Sequence, residues 1–225
     1  FVVMRRGATL AVASPRVTSL AIGQQVDEEE LGGWQLHTDV TGIVDRAVDS
    51  DEEAIALMRT FLSYLPSHNG EAPPTTSGGP APERNPADIV PPDRTKVYDM
   101  RKVVDSIVDR GTFFPLKERF ARVLITGLAR IDGRVVGIIA NNPLIKGGAM
   151  DPDACDKAVN LIVLCDAFNI PIVSLVDTPG FLVGIEGERK KAPGRIMNYM
   201  QALQLATVPK ISIIQRKSYG QAYMN

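Results

Sequence analysis

The sequence predicts an α/β chain, and three observations carry that expectation. Apolar residues recur at helical spacing after Asp99 and again after Asp151, IPIVSLVD (residues 170–177) is an unbroken apolar run bounded by turn residues, and such stretches alternate along the chain. The 225 residues fit one large or two modest domains.

Element by element, Ser50-Asp51-Glu52-Glu53 forms a capping box, followed by Ile55, Met58, Phe61, Leu62 and Leu65 at helical spacing. This predicts an amphipathic helix of about four turns. Residues 66–94 are dense in Pro, Gly, Ser and Thr and read as a linker or extended surface connection, because they bury too little apolar area to fold alone. Residues 99–108 predict a helix through Val103, Val104, Ile107 and Val108. Two strands flank Asp132-Gly133, a dipeptide that favours the left-handed conformations of a tight hairpin. Asp151 is an expected N-cap with Pro152 at the first helical position. The apolar run at 170–177 predicts a strand buried on both faces. A helix over 194–206 and a strand over 210–214 complete a parallel βαβ unit.

Composition excludes several function classes. Lys plus Arg (25) nearly balances Asp plus Glu (26), so charge gives no reason to expect nucleic acid as a partner. No run of about eighteen apolar residues predicts a membrane span. Cys155 and Cys165 lie ten residues apart in one predicted helix, about 15 Å by helical rise, too far to bridge, which fits a reducing compartment. No Cys/His cluster has metal-ligand spacing, so no metal is expected. The first residue, Phe1, and the ending SYGQAYMN in mid-pattern predict a piece of a longer protein.

LVDTPGF (175–181) has the Asp-x-x-Gly form of a GTPase phosphate sensor. Neither the Gly-rich phosphate cradle nor an Asn-Lys-x-Asp base reader accompanies it, so it is read as a strand-ending turn with Asp177 as a turn-capping carboxylate. Three Gly-rich stretches, ANNPLIKGGAM, DTPGFLVGIEGE and QRKSYGQAYMN, fall beyond the carboxyl ends of predicted strands, where α/β sheets place ligands. None pairs a nucleophile with a base, since His37 and His68 lie far from Ser218 in sequence. The chemistry expected is therefore stabilisation of an oxyanion by backbone N–H groups at a strand-to-helix turn.

Residues 98–143, LVDTPGFLVG and SYGQAYM together resemble the carboxyltransferase subunit of biotin-dependent acyl-CoA carboxylases and decarboxylases, and residues 28–55 are similar to the same family's EELGG, His-Thr and Thr-Gly region. The resemblance implies a crotonase-like (ClpP/crotonase) ββα superhelix with parts of two tandem domains. Residues 1–70 would end the N-terminal domain, 71–95 link, and 96–225 begin the C-terminal domain. It implies transfer of a carboxyl group between N1′ of biotin, carried on a partner domain or subunit, and the α carbon of a short-chain acyl-CoA. A decarboxylase subunit, a hydrolase or isomerase on the same scaffold, and a non-catalytic assembly module are the rivals, and the fragment alone is expected to be inactive. No side-chain base is required, because the biotin nitrogen takes the proton.

By position, Gly220, Gln221 and Ala222 resemble the turn whose amides hold the biotin oxyanion, and Gly180, Phe181, Gly184 and Tyr219 resemble the wall of the biotin site. Met224 occupies the position associated with acyl-chain choice, and Ser14, Pro15, Gly32 and Gly33 lie in regions similar to the CoA-binding side. Gln221 departs from the usual Gly or Ala, and Met224 from the Asp common in propionyl-type relatives. The stretch 184–200 departs from a His-Gly-Ala-Lys pattern, but Arg189, Lys190, Lys191 and Arg195 there form a basic group able to attract a carboxylate or a CoA phosphate. The implied partners are a biotin carboxyl carrier and a biotin carboxylase, in a homo-oligomer (dimer or trimer of dimers), cytoplasmic, or in the mitochondrial matrix in a eukaryote.

Overall fold

A computed structural model describes the backbone of residues 1–224 and the side chains of residues 1–222. It divides into two compact units, Phe1–Phe61 with Lys117–Phe120, and Leu62–Leu116 with Ala121–Asn225.

In the first unit, β1 (Val3–Arg5) leads to α1 (Pro15–Ile22), α2 (Glu28–Gly32), a π-helical turn at Leu36–Val40, β2 (Arg46–Val48) and α3 (Asp51–Leu62). Strands β1 and β2 pair in parallel. Ser50 caps α3 by accepting from the Glu53 N–H at 3.2 Å, and Glu53 reaches back to the Asp49 N–H at 3.0 Å. The predicted apolar stripe is present, but only Phe61 is buried. Ile55, Met58 and Leu62 stay exposed. His37 is held by the Leu10 carbonyl (2.6 Å) and the Thr41 hydroxyl (3.0 Å), so both ring nitrogens serve the fold.

The second unit is built on a five-stranded sheet, in spatial order β3 (Phe114–Leu116), β4 (Leu124–Ile131), β5 (Arg134–Asn141), β6 (Ile172–Thr178), β7 (Lys210–Ser218). The first three strands are antiparallel and the last three parallel. At the β4–β5 turn Asp132 (φ 50°) and Gly133 (φ 74°) both take the left-handed region, as the dipeptide predicts. Helix α4 (Met100–Asp105) covers one sheet face, where Met100, Val103, Val104 and Val108 pack against Val136, Ile138, Ala140, Val173 and Leu175. It ends sooner than the periodicity predicts. The Ser106 hydroxyl donates to the Val103 carbonyl, and its N–H to Lys102 and Val103, which closes the last turn.

Helix α5 (Pro152–Ala167) covers the other face; a methyl added at Gly137 of β5 would lie 2.4 Å from the Cys165 Sγ. Asp151 caps it by accepting from the Ala154 N–H at 2.9 Å. Cys155 and Cys165 are buried free thiols. Helices α6 (Ile185–Arg189) and α7 (Ala192–Leu205) follow β6, and α7 packs on α5. β7 is an edge strand, with Ile211, Ile213 and Ile214 each exposed, and among the described residues nothing pairs with its outer side.

The Pro-rich stretch is tied to this unit through its backbone. The Thr76 N–H donates to the Gly133 carbonyl (3.0 Å), Arg130 donates to the Pro74 carbonyl (2.8 Å), and the Gly79 N–H donates to the Asp109 carboxylate (3.1 Å). Apart from one 3₁₀ turn at Pro86–Asp88 it forms no regular structure, and polar groups fixed in the folded part anchor it.

Candidate active site

Three chain segments leave the carboxyl ends of β5, β6 and β7 and are laced together by backbone hydrogen bonds. The Met150 N–H donates to the Gly180 carbonyl (3.0 Å), the Leu182 N–H to the Met150 carbonyl (2.7 Å), and the Tyr219 N–H to the Thr178 carbonyl (3.4 Å). Gly148, at φ 86°, lets the β5 segment come so close that an added Cβ would sit 2.3 Å from the Asp177 carbonyl oxygen. Gly180, at φ 128°, is similarly open, and a Cβ there would stand 3.4 Å from the Tyr219 carbonyl. The structure thus brings Gly180, Phe181, Tyr219 and the Gly220–Met224 turn to one place. Phe181 bridges to Met150, whereas Gly184 stands exposed at the start of α6.

The turn at Gly220–Met224 is a single 3₁₀ stretch directly after β7. The N–H groups of Gly220 and Gln221 precede the turn's first i→i+3 hydrogen bond, which runs from the Ala222 N–H to the Tyr219 carbonyl, so these two are the open donors that an oxyanion needs. Gln221 turns its side chain away toward the Met200 sulfur, at 3.8 Å. Ala222 is buried and borders a cavity of ≈ 20 Å³ shared with Asn141, Ser174, Thr178 and Tyr199. The side chain of Met224, assigned to acyl-chain choice, lies outside the described residues.

Asp177 does not cap the turn. That role belongs to Thr178, whose hydroxyl accepts from the Gly180 N–H at 3.1 Å. Asp177 is instead completely buried and accepts from the Tyr98 hydroxyl and the Arg216 Nε, both at 2.8 Å. Burial, then the hydrogen bond and charge of Asp177, push the Tyr98 hydroxyl pKa well above its ordinary value, so Tyr98 is a donor throughout the physiological range. Sequence reasoning missed Tyr98 and Arg216. The one available signal was two cations, Arg216 and Lys217, closing a strand beside a strand that ends in a carboxylate.

The basic group of 189–195 is largely matched by acids. Lys190 pairs with Asp153 (2.6 Å), Arg195 with Asp153 (2.7 Å) and Asp156 (3.0 Å), and Arg189 with Glu186 (2.8 Å). Among the described residues no cluster of His, Cys, Asp or Glu is placed to hold a metal ion, and no helix is long and apolar enough to cross a membrane.

The remaining predicted positions lie in the first unit, each with a local backbone role. Ser14 caps α1 with Pro15 at its first turn. An added Cβ on Gly32 would meet the Leu10 carbonyl at 2.3 Å, and Gly33 ends α2 with its N–H on the Glu29 carbonyl.

The family model described as carboxyl transferase domain matches residues 1–225. The chain belongs to the carboxyl transferase family. Within it, the chain is 41% identical over 215 residues to an uncharacterized carboxylase of Bacillus subtilis (strain 168), covering 95% of this chain and 42% of the relative. It is 39% identical over 223 residues to the propionyl-CoA carboxylase carboxyltransferase subunit of Haloferax mediterranei, covering 98% of this chain and 43% of that one. Among solved structures, the transcarboxylase 12S hexamer with methylmalonyl-coenzyme A bound superposes with a TM-score of 0.94 at 37% identity, over 100% of this chain and 44% of that chain. The fold of this carboxyl transferase chain is crotonase-like. It spans less than half the length of these relatives.

Proposed function

We propose that this chain is the central part of a biotin-dependent acyl-CoA carboxyltransferase, in which residues 1–70 close a first domain, 71–95 connect, and 96–225 open a second. The observation that carries the reading is the convergence of Gly180, Phe181 and Tyr219 on the Gly220–Ala222 turn, which supplies backbone donors where, among the described residues, no nucleophile–base pair stands. The turn's N–H groups hold negative charge on a ureido oxygen, and the walls of the three segments exclude water from it. Biotin, bound on a carrier, would supply the nitrogen that takes up and releases the carboxyl group. Ser14, Pro15, Gly32 and Gly33 belong to the acyl-CoA side, which the full polypeptide completes.

The whole protein works with a biotin carboxyl carrier and a biotin carboxylase, as a homo-oligomer, a dimer or trimer of dimers, in the cytoplasm or, in a eukaryote, the mitochondrial matrix. The test is decarboxylation of malonyl-CoA or methylmalonyl-CoA by the full-length polypeptide with free biotin. Biotin-dependent turnover supports the reading; a folded, inactive polypeptide rejects it. Replacing Gln221 with Pro removes one of the two open N–H donors without touching a hydrogen bond of the turn, and turnover should fall by about 100-fold or more with the fold retained.

A further inference from the structure

The charged cluster at the foot of the oxyanion turn has no direct part in the chemistry above, yet it joins every element that shapes the site. Asp177 sits at the register shift between β6 and β7, three residues before Gly180, with a side chain at 0% exposure. Its Oδ2 accepts from Arg216 and from Tyr98, and the Arg216 guanidinium lies 4.6 Å from the centre of the Tyr98 ring. Arg216 Nη1 gathers the carbonyls of Asp93 (2.8 Å), Lys96 (2.9 Å) and Pro91 (3.3 Å). Lys217 lies 3.8 Å from Asp177 Oδ1 and 3.5 Å from the Gly147 carbonyl. Arg94 completes the set by donating to the Tyr219 hydroxyl at 3.2 Å.

Stability alone is a poor account of this arrangement. A buried ion pair gives back little more than its desolvation costs, and a well-packed apolar pair of equal volume is often as stable. The pair is also imperfectly satisfied, because Arg216 Nη2 and Asp177 Oδ1 are buried without a hydrogen-bond partner. Its geometry fixes orientation. One carboxylate holds β6, β7, the segment from Pro91 to Tyr98 and, through Lys217, the segment after β5, while two cations against it leave an excess of positive charge in a region of low dielectric.

We propose that Asp177 and Arg216 are positioning residues for the biotin-side turn, locking residues 91–98 onto β7 so that Tyr219 and the open donors of the Gly220–Ala222 turn keep their places. The proposal rests on the carboxyltransferase reading. Both side chains are buried, Arg216 at 5% and Asp177 at 0% exposure, so removing the pair moves the donors without opening or closing a surface that a substrate could touch.

The test uses the full-length polypeptide and biotin-dependent decarboxylation of methylmalonyl-CoA. Asp177→Asn should lower kcat by about 100-fold while the KM for the CoA ester stays within about threefold, as expected when donors are displaced and binding is not. The double variant Asp177→Asn/Arg216→Gln removes the pair together and leaves only the partly exposed Lys217 to rehydrate; it should recover most of the thermal midpoint lost in Asp177→Asn and still turn over about tenfold or more slowly. Tyr98→Phe keeps the ion pair and drops one hydrogen bond; it should fold and lose about fivefold in kcat, which keeps the proposal testable if Asp177→Asn does not fold. A double variant whose kcat returns together with its thermal midpoint overturns the positioning role, as does a folded Asp177→Asn or a Tyr98→Phe with wild-type kcat. A wild-type polypeptide without biotin-dependent turnover overturns the carboxyltransferase reading itself, and the proposal with it.

Discussion

Removing the Asp109 carboxylate should cost the fold several kcal/mol, and the cost should depend on pH in a stated direction. Asp109 is 7% exposed. Its oxygens accept three backbone N–H groups, from Gly133 at 2.8 Å, Asp132 at 2.9 Å and Gly79 at 3.1 Å. It therefore seats the β4–β5 turn and anchors the Pro-rich stretch at once. In Asp109→Ala all three donors lose their acceptor. The Gly133 N–H is buried, whereas the bonds from Asp132 and Gly79 are part-buried and those two N–H groups can rehydrate only in part. Counting about 1–3 kcal/mol for each donor left dry, and more when its lost partner was charged, gives about 3–5 kcal/mol, a large share of the roughly 5–15 kcal/mol that holds a domain together.

Burial pushes the Asp109 carboxyl up, but the N–H groups of Gly133, Gly79 and Asp132, helped by the Arg130 charge, outweigh it and hold the carboxyl below the usual range. A depressed folded pKa means that the carboxylate's contribution is complete above the unfolded value of about 3.9 and is lost as pH falls through the lower folded value. Urea unfolding of wild type and Asp109→Ala, at pH 7 and in steps down to pH 2, measures both quantities. The difference should be about 3–5 kcal/mol at pH 7 and should shrink at the acid end. A loss under about 1 kcal/mol at pH 7, or a difference that stays constant through the acid range, would refute the assignment.

Gly148→Ala places a Cβ at φ 86° and 2.3 Å from the Asp177 carbonyl, so it should destabilise by about 2 kcal/mol or more in thermal unfolding, and biotin-dependent turnover should fall with it. Gly137→Ala drives a methyl to 2.4 Å from the Cys165 Sγ and should cost about 1–3 kcal/mol; adding Cys165→Ala makes room, so the double variant should be more stable than the sum of the two single losses predicts. Burial, reinforced by nearby acidic residues, pushes the Cys155 and Cys165 thiols up to about 12. Neither should be alkylated at pH 8 until the chain unfolds, and rapid labelling without denaturant, followed by mass spectrometry, would contradict this.

Local chemistry made much of the second unit legible. Asp132-Gly133 specifies its hairpin through φ angles, and Asp151-Pro152 starts α5 through one side-chain acceptor and a missing donor. The unbroken apolar run of β6 foretold a buried strand, which stands between β5 and β7 with Val173 and Leu175 in the core under α4. The lock at Asp177 was invisible because its partners lie far away in sequence, 79 residues for Tyr98 and 39 for Arg216, and one carboxylate at the end of an apolar run looks like any strand terminus. For the same reason β7 was expected to stop at Ile214, where apolar residues give way to Gln215-Arg216-Lys217. The strand continues to Ser218 because pairing with Asp177 lets the two cations be buried. The path of residues 71–95 could not be foreseen either, since it is fixed largely by main-chain carbonyls, which every residue carries alike.

β7 has a consequence for handling the protein. Its nine residues form an open ladder with isoleucines at 211, 213 and 214 in contact with solvent. Such an edge is a template for any other extended segment, another copy of itself included. Produced in isolation, the chain should therefore be limited by its tendency to clump at rising concentration, with Lys210 as the nearest charge opposing it. The most effective solubilising change would be a second lysine in place of Ile213, at the cost of whatever apolar surface the full polypeptide lays against that strand.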